Sequence, residues 1–436
     1  QSLTEDTVRR FAHAFATRLP MNARVVLARD TRPSGEGLAA VAIDALYAAG
    51  CHVFDLGVCA TPTAKLMVLE LAADAALILT ASHNPAPWNG MKMVRADGIF
   101  LDAATGRRVE AAYKRSRRRT GDGQLERVPR ETVDAILLRR ILAVVDTDSI
   151  RGAHLRAAVD PCNGTGCLFI PLLLEALGVE MHLIHGEPHG RFAHEPEPIP
   201  ANLVDLGHAV MEGHCHVGFA IDPDADRVAL VDANGTPLGE DLTLALAVQS
   251  VTETRKGPVV TTLSTSQVVT DAAVANGCPV ILTPVGEVHV VDAMVAEGAI
   301  IGGEGNGGVI LLDVDPGRDA AVGIALILQA LAQTGRSLTE LARALPAYAI
   351  EKRKVSCSQD DLQRALDGLI QRYPQALRHP VQDGVKLYLS GGSLQCPWIH
   401  LRPSNTEPVV RIIAESESRE EAMELCDVAE GFLRSR

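Results

Sequence analysis

One arrangement recurs three times along this chain, and it restricts the fold more than any single motif does. Each copy has an apolar run, a polar turn, an amphipathic stretch that ends at glycine, and a second apolar run; the copies begin at Arg24, Leu155 and Val259. A strand, a helix and a second strand in this order form a βαβ unit, which is right-handed by default. The sequence therefore predicts three similar α/β/α domains with mixed sheets.

The pattern changes near Glu351, where strands alternate with fewer helical stretches up to a closing helix from about Ser418. This indicates a smaller α+β fourth domain. A length of 436 residues also argues for several domains, because a single core does not grow to that size. The predicted domains are 1–146, 147–250, 251–351 and 352–436.

Each of the three repeats continues through a further helix and strand into an unusual loop. These loops are Thr80–Lys92, Asp222–Arg227 and Gly302–Gly308. They occupy equivalent positions at the carboxyl ends of strands, where open α/β sheets bind ligands. We therefore expect all three to be ligand-binding loops, and a fourth unusual loop, Arg402–Pro408, lies in the last domain.

Ser82 is the first candidate for chemistry, in the segment Thr80-Ala-Ser-His-Asn-Pro85. The segment directly follows the apolar run Ala75–Leu79, which is typical of a buried parallel strand. A serine at the end of such a strand is presented to a crevice, which suits a nucleophile or phosphate carrier. An ordinary polar turn is the alternative, since Asn-Pro and the later Asn89-Gly90 favour turning without any chemistry.

Asp222, Asp224 and Asp226 alternate in a turn after the apolar run Val217–Ile221, with Arg227 beside them. Three close carboxylates repel one another unless a cation neutralises them, and their oxygens are ligands for hard cations. We favour a metal site over a solvated acidic turn. Mg²⁺ is preferred to Ca²⁺, because only three ligands leave positions for phosphate oxygen and water. A presented serine together with a magnesium loop suggests phosphoryl transfer.

The two remaining loops offer sugar-binding and phosphate-binding groups. Glu304 and Asn306 are the chemistry-bearing side chains of the glycine loop, and a carboxylate with an amide suits sugar hydroxyls. The last loop offers donors for a phosphate, supported by a further arginine on the next strand: Arg402, Ser404, Asn405, Thr406 and Arg411. Considered alone, each loop could also be a flexible or polar turn.

The net charge of −13 argues against nucleic acid or an anionic membrane as the principal partner. It leaves room for a phosphorylated substrate, which a local cluster of arginines can hold. No apolar run approaches membrane-spanning length, no signal peptide is visible, and the nine cysteines contain no C-x-x-C pair. We therefore expect a cytoplasmic enzyme that acts without nucleic acid or membrane.

Taken together, the four loops resemble those of the α-D-phosphohexomutase family, which includes phosphoglucomutase, phosphomannomutase and phosphoglucosamine mutase. The resemblance spans essentially the whole chain and implies that the domains surround a central cleft. It implies that Ser82 becomes phosphoserine and binds Mg²⁺ together with the three aspartates. Lys92 would then be a general acid/base, and His83 and Arg227 would stabilise charge.

The resemblance also implies that Glu304 binds sugar hydroxyls and that the Arg402–Thr406 loop holds the phosphate that is not transferred. The implied activity interconverts hexose 6-phosphate and hexose 1-phosphate. Phosphoserine would donate its phosphoryl group, and the hexose 1,6-bisphosphate would turn over in the cleft and return the other phosphate to Ser82. That turnover requires the fourth domain to move, with an expected hinge near Glu351. A monomer or a homodimer would suit this activity.

The substrate follows less directly from the sequence. The loop Gly303–Val309 is similar to that of phosphoglucosamine mutases, with Asn306 and Gly308 where other members have Ser and His. We expect Gly308 to leave space beside the sugar, and Asn306 to suit a 2-amino group. Glucosamine phosphate therefore ranks narrowly ahead of mannose and glucose phosphates.

Family members usually have a short strand and a Ser-Gly-x-Arg element before the first helix, whereas this sequence begins at Gln1. We therefore expect the arginine near the phosphoserine to be absent and the activity of this form to be impaired. Two functions of other classes stay open: a Mg²⁺-dependent phosphatase with a serine nucleophile, and an inactive sugar-phosphate-binding protein. The phosphatase would not explain a phosphate cradle in the fourth domain.

Overall fold

The computed structural model describes residues 3–356, 359–381, 383–390, 395–403 and 409–434. The first part of the chain forms one sheet with flanking helices. Its elements are α1 (Glu5–Ala16), β1 (Arg24–Arg29), α2 (Gly35–Ala48), β2 (His52–Val58), α3 (Thr61–Glu70), β3 (Ala75–Leu79), β4 (Met91–Arg95), α4 (Ala103–Lys114), β5 (Gln124–Arg127) and α5 (Arg130–Leu142).

The second and third sheets follow in sequence. The second has α6 (Thr147–Gly152), β6 (Arg156–Asp160), α7 (Gly166–Ala176), β7 (Glu180–Leu183), a 3₁₀ turn (Pro200–Asn202), α8 (Val204–Glu212), β8 (Val217–Ile221) and β9 (Val228–Asp232). The third has α9 (Glu240–Thr254), β10 (Val259–Thr262), α10 (Gln267–Ala275), β11 (Val280–Thr283), α11 (Glu287–Glu297), β12 (Ile301–Glu304), β13 (Gly308–Ile310), α12 (Ala320–Thr334) and α13 (Leu338–Arg343).

The fourth sheet is antiparallel throughout, in the order β14-β18-β17-β16-β15. Its elements are β14 (Ala349–Ser356), α14 (Gln359–Arg372), β15 (Leu377–Arg378), β16 (Val385–Tyr388), β17 (Trp398–Pro403), β18 (Val409–Ser416) and α15 (Arg419–Arg434). Glu351 lies inside β14 and pairs with Ala414, and the hinge near this residue stays a prediction. The connection before β14, residues 344–348, is where the chain leaves regular structure.

The first three sheets share one strand order, which confirms three similar α/β/α units with mixed sheets. The orders are β4-β3-β1-β2-β5, β9-β8-β6-β7 and β13-β12-β10-β11. In each sheet the strands are parallel except the edge strand β4, β9 or β13, which runs antiparallel. The glycine segment predicted as a loop is therefore mostly a tight hairpin, with Glu304 at the end of one strand and Gly308 at the start of the next.

The strand order also explains why the unusual loops become ligand sites. In each of these sheets the chain leaves the central strand on one side and returns on the other, which opens a crevice between β1 and β3, β6 and β8, or β10 and β12. Ligands bind at such switch points, at the carboxyl ends of the strands. The loops that begin at Thr80, Asp222 and Gly305 leave from these ends.

Burial of the strands follows their composition. Every residue of β3 and β8 is buried, as expected for apolar strands covered on both faces. The second and third units share a continuous core, in which Leu244 and Ile324 join the same cluster as Phe219. A separate cluster that includes Leu369, Ile412 and Leu425 holds the fourth sheet to its helices. No helix in the described parts of the chain is long and apolar enough to cross a membrane.

Candidate active site

The Ser82 loop holds its serine in an unusual backbone conformation. Ser82 has a φ of +49°, in the left-handed region that non-glycine residues adopt at a cost of order 1–3 kcal/mol. Its backbone N–H donates to Thr80 Oγ1 at 2.9 Å. Gly90 lets the returning strand pass closely, since a Cβ there would lie 2.8 Å from the Thr80 carbonyl. The surroundings therefore determine where Ser82 points.

Arg32 is the main support of this loop, and sequence reasoning did not select it. Its guanidinium is fully buried and pairs with Asp30, with Nε 2.9 Å from Oδ2. Its Nη2 donates to the carbonyls of Ser82 and Asn84 at 2.6 and 2.7 Å. Its Nη1 donates to the carbonyls of Pro85 and Trp88 at 2.7 and 2.8 Å. Five hydrogen bonds from one side chain thus fix the loop to the end of β1.

The aspartate loop lies directly against Ser82. The Ser82 hydroxyl donates to Asp222 Oδ2 at 3.0 Å. Asp222, Asp224 and Asp226 are completely buried, and their ligand oxygens lie within 4.8 Å of one another. The turn is closed by the backbone N–H groups of Asp226 and Arg227, which donate to Asp222 Oδ1 at 3.0 and 3.1 Å. Two switch-point loops from different units therefore meet at one point.

Three cationic side chains surround these carboxylates. Lys92 Nζ lies 2.6 Å from Asp224 Oδ2 and 3.4 Å from Asp226 Oδ2. Arg318 Nη2 lies 2.6 Å from Asp226 Oδ2, and Arg227 Nε lies 3.5 Å from Asp226 Oδ1. Repulsion within the aspartate loop is therefore partly relieved by the protein itself.

The pKa values reflect this balance of burial and charge. Burial, reinforced by the neighbouring carboxylates of Asp226 and Asp224, raises the pKa of Asp222 well above its usual range. Burial would also raise the pKa of Asp226, but Arg318, Lys92 and Arg227 outweigh it and hold that pKa below its usual range. Burial disfavours the ammonium of Lys92, yet Asp224 and Asp226 raise its pKa above the ordinary value. Lys92 is therefore protonated in this arrangement.

His83 lies beside the serine, with Nδ1 3.5 Å from Ser82 Oγ and Nε2 3.8 Å from Glu197 Oε1. Burial and the nearby charge of Arg227 lower the pKa of His83 to about 4. The imidazole is therefore neutral at pH 7. His83, Lys92 and Arg227, all named from the sequence, line the same cleft.

Glu304 and Asn306 also line this cleft, but neither is a free side chain. Glu304 Oε1 accepts from the Gly286 N–H at 3.1 Å, and Oε2 accepts from Arg318 Nη1 at 2.7 Å. Asn306 Oδ1 accepts from the Gly308 N–H at 3.3 Å. The expectation that Gly308 leaves space beside the sugar is wrong, because a Cβ there would lie 2.2 Å from Arg318 Cδ. The Arg318 side chain fills that space.

Arg402 and Arg411 lie at the fourth-unit end of the cleft. They are direct cross-strand partners on β17 and β18, and a smaller cavity of about 120 Å³ next to the main cleft is lined by both. The Nε atoms of both guanidinium groups are buried without a hydrogen-bond partner among the described residues. Ser404, Asn405 and Thr406, which were predicted to share this site, lie outside the described residues.

The main cleft has a volume of about 680 Å³ and receives side chains from all four units. His83 and Lys92 come from the first unit, Arg227 from the second, Glu304 from the third and Arg411 from the fourth. The chain thus brings together most of the residues predicted from separate motifs.

Known proteins with similar sequences belong to one enzyme family. Family models described as phosphoglucomutase/phosphomannomutase alpha/beta/alpha domains I, II and III and C-terminal domain match residues 1–120, 137–235, 239–348 and 352–430. A probable phosphoglucosamine mutase from Methanopyrus kandleri is 36% identical over 417 residues, covering 92% of this chain and 88% of the relative. The chain belongs to the phosphohexomutase family. It is accordingly an isomerase of the mutase type.

Other phosphohexomutases are similar over the same length. A phosphoglucomutase/phosphomannomutase from Thermococcus kodakarensis is 33% identical over 437 residues, covering 98% of this chain and 94% of that protein. A crystal structure of a phosphoglucomutase/phosphomannomutase family protein from Burkholderia thailandensis aligns with a TM-score of 0.84 at 25% identity, covering 99% of this chain and 94% of that one. The fold and the enzyme class are therefore supported by similarity over nearly the whole chain.

The aspartate loop of this phosphohexomutase fits a divalent cation on the evidence of its own atoms. Asp224 Oδ1 and Asp226 Oδ1 are buried and have no hydrogen-bond partner among the described residues. Buried carboxylate oxygens are costly when they are left without a partner. The charge argument alone is weaker than the sequence indicated, since Lys92, Arg227 and Arg318 already supply positive charge. The unpartnered oxygens, together with Asp222 Oδ2 at the serine, are the observation that indicates a metal ligand set.

Sequence reasoning missed a buried ion-pair network that joins three units of this phosphohexomutase. Arg318 contacts Asp226, Glu287 and Glu304, with Nε 3.0 Å from Glu287 Oε2, and Lys65 pairs with Glu287 from the first unit. Arg318 and Lys65 lie in segments without an unusual motif, so no local signal marked them. Arg32, in contrast, follows β1 at the carboxyl end of the strand beside β3, and that position at the ligand-binding edge of the sheet could have selected it.

Proposed function

We propose that this phosphohexomutase carries the transferred phosphoryl group on Ser82 and interconverts hexose 6-phosphate and 1-phosphate through a hexose 1,6-bisphosphate. The observation that carries the proposal is the 3.0 Å contact between Ser82 Oγ and Asp222 Oδ2. It lies next to His83 and Lys92, which line the main cleft, and that cleft adjoins a smaller cavity lined by Arg402 and Arg411. A phosphoryl group on the serine would lie beside the cation ligands. The other phosphate of the same substrate would meet positive charge at the far end.

Asp222, Asp224 and Asp226 would hold Mg²⁺ together with an oxygen of the serine phosphate. Mg²⁺ suits a set of carboxylate oxygens, and when bound it neutralises the charge that develops on the phosphoryl oxygens. Ca²⁺ prefers six to eight oxygen ligands, more than this loop offers. The preference for Mg²⁺ is a proposal that the metal dependence of the activity can test.

Lys92 would be the general acid/base, and His83 and Arg227 would stabilise charge beside it. Transfer breaks the bond between phosphorus and Ser82 Oγ and forms a bond from phosphorus to a sugar hydroxyl oxygen. The leaving serine oxygen takes up a proton and the sugar hydroxyl loses one. Protonated Lys92 would exchange these protons as the general acid/base. Neutral His83, 3.5 Å from Ser82 Oγ, would hydrogen-bond the serine oxygen as it leaves. Arg227 stabilises the negative charge of the phosphoryl group.

Arg402 and Arg411 would bind the phosphate that is not transferred. Two like charges directly opposite each other on paired strands destabilise a sheet. Their unpartnered Nε–H groups support an anion between them, and a phosphate accepts such bonds from a guanidinium in a bidentate manner. Ser404, Asn405 and Thr406 would complete this site.

The four predicted domains would then divide the work in chain order. Domain 1–146 would carry the phosphoryl group, 147–250 the metal, and 251–351 the sugar. The last, 352–436, would hold the remaining phosphate.

Glucosamine phosphate is the substrate that we propose first, with mannose and glucose phosphates as the alternative. Glu304 and Asn306 present a carboxylate and an amide to the cleft, which suit an amino group as well as hydroxyls. The names of similar enzymes divide in the same way, between phosphoglucosamine mutase and phosphoglucomutase/phosphomannomutase. Comparison of kcat/KM for the three hexose 1-phosphates decides the question. A tenfold preference for glucose or mannose, about 1.4 kcal/mol in transition-state binding, would reverse the ranking.

Replacement of Ser82 tests the mechanism directly. Ser82→Ala should fold normally, lose nearly all mutase activity and show no phosphoprotein by intact mass after incubation with glucose 1,6-bisphosphate. Ser34→Ala is the matched control, because this nearby hydroxyl bonds Asn89 rather than an aspartate. Wild-type turnover by Ser82→Ala would refute the phosphoserine mechanism, and transfer of phosphate to water alone would indicate the phosphatase.

A further inference from the structure

A second cluster of ligand-type side chains lies outside the cleft, in the second unit. It consists of Asp160 at the end of β6 and of His185 and His194 in the long connection after β7. None of these three residues lines the main cleft. Asp160 is buried, and both imidazoles are mostly covered, with exposed side-chain fractions of 24% and 18%.

The three side chains converge on one point. Asp160 Oδ2 lies 3.0 Å from His185 Nδ1 and 2.9 Å from His194 Nε2. Two ligand atoms bound to one zinc-type ion at about 2.0–2.1 Å lie roughly 3.3 Å apart in tetrahedral geometry. The observed separations are within a few tenths of an ångström of that value. The other oxygen of Asp160 accepts from the Cys162 N–H at 2.8 Å, which fixes the carboxylate.

The second nitrogen of each imidazole also faces an oxygen. His194 Nδ1 lies 2.8 Å from the Glu195 carbonyl, an acceptor only. A neutral His194 that donates there has a lone pair on Nε2, which would face the lone pairs of Asp160 at 2.9 Å. That contact is favourable only if a metal ion lies between the two atoms or if His194 carries a second proton. His194 thus has the outer oxygen partner that metal-bound histidines have. His185 Nε2 lies 3.7 Å from Asp205 Oδ2, which is within ion-pair distance but beyond a hydrogen bond.

We propose that Asp160, His185 and His194 form a second metal site, specific for a zinc-type transition cation. Two imidazoles and one carboxylate suit Zn²⁺ and related ions, whereas the aspartate loop offers oxygen atoms only and suits Mg²⁺. Three protein ligands leave one position for water. The two sites would therefore bind different metals in one chain.

The metal would position the segment between His185 and Glu197 against the serine loop. The Phe192 ring lies 5.0 Å from the Arg32 guanidinium, and Glu197 lies 3.8 Å from His83. Gly190 packs so tightly that a Cβ would lie 2.1 Å from the Thr31 carbonyl. A cation that crosslinks both parts of this segment to β6 would thus support Arg32 and His83 from behind, without contacting the substrate.

Cobalt titration of the full chain tests the site. The protein is freed of metal with a chelator, held in excess Mg²⁺ to occupy the aspartate loop, and titrated with Co²⁺. We expect visible absorption bands of low-symmetry Co²⁺ that saturate at one ion per chain and are removed by Zn²⁺. His194→Gln and His185→Gln should weaken Co²⁺ binding by about 100-fold or more. His208→Gln, an exposed histidine of the same unit, should bind as the wild type does.

The alternative to a metal ion between Asp160 Oδ2 and His194 Nε2 is a second proton on the His194 ring. Burial would lower the pKa of His194, but hydrogen bonds to Asp160 and Cys162 outweigh it and raise it to about 11. Absence of Co²⁺ bands in the wild type at neutral pH would overturn the metal proposal, and this result needs no variant to fold. Equal Co²⁺ affinity in the wild type and His194→Gln would overturn it as well. Nitrogen NMR showing protons on both ring nitrogens of His194 in the presence of Zn²⁺ would likewise contradict the metal site.

Discussion

Replacement of Arg32 by lysine tests whether the serine loop is held by a guanidinium or by charge alone. The arginine donates to four loop carbonyls and to Asp30, whereas a lysine ammonium has three N–H donors on a shorter reach. At least two acceptors therefore lose their partner. Each such loss costs about 1–3 kcal/mol when the acceptor is buried. Among the four loop carbonyls only the bond to Ser82 is fully buried, so we expect about 2 kcal/mol in loop positioning.

A loosening of about 2 kcal/mol corresponds to about a 30-fold decrease in kcat, because Ser82 is then correctly placed in a small fraction of molecules. The KM should change little, since the third and fourth units are unaltered. A coupled assay of hexose 1-phosphate turnover, with thermal unfolding measured in parallel, gives both quantities. Arg29→Lys is the control, because that arginine makes one long bond of 3.3 Å to the Asp30 carbonyl. Unchanged kcat in Arg32→Lys would refute the reasoning.

Three further predictions concern the metal, the fourth unit and pH. Asp224→Asn removes one charge at constant shape and should lower turnover by at least about 100-fold; full activity of the wild type in excess EDTA would contradict the metal assignment. If Arg402 and Arg411 close on a phosphate about a hinge at 344–348, small-angle scattering should show compaction with sugar phosphate, and an unchanged profile at saturation would count against closure. Burial lowers the pKa of His400 to about 4 where it contacts Ser264 and Asp383 between the third and fourth units. Stability is then complete above the ordinary pKa of about 6.5 and is lost as the pH falls toward 4, because the unfolded chain binds the proton first. His400→Asn should flatten the dependence of Tm on pH in that range; equal slopes in the two proteins would exclude this role.

The repeated units could be predicted from sequence because their strands are apolar on both faces and their helices end at glycine. The run 217–221, for example, is a strand with the predicted bounds. The antiparallel edge strands were missed, since β4 and β13 contain polar residues or glycine and are defined by pairing with a neighbour. The strand β14 is a further case, because it pairs with β18, which lies far along the chain. Long-range pairing leaves no local periodicity.

In the candidate site, too, residues with a local sequence signal were predicted and residues without one were not. Residues in dense, unusual motifs were selected from the sequence, and Ser82, Lys92 and Asp222 do lie together. Arg318 and Lys65 were not selected, because a single arginine or lysine in an ordinary segment gives no pattern. Both side chains are buried, and a buried cation is stable only when carboxylates pair with it. Which carboxylates pair with it depends on the fold. The prediction from Gly308 was wrong for a related reason, since a missing side chain in sequence does not mean empty space in the fold.

The Gly308 position shows why substitutions in this site are not independent. A Cβ at residue 308 of this chain would lie 2.2 Å from Arg318 Cδ, which is a steric clash. Arg318 in its present position and a side chain at 308 therefore exclude each other. Because the same guanidinium also binds Asp226, Glu287 and Glu304, it connects the metal loop to the sugar-binding carboxylate. Glycine at position 308 therefore allows Arg318 to pair with both Asp226 and Glu304. A histidine introduced at 308 would displace the arginine before it could contact any sugar.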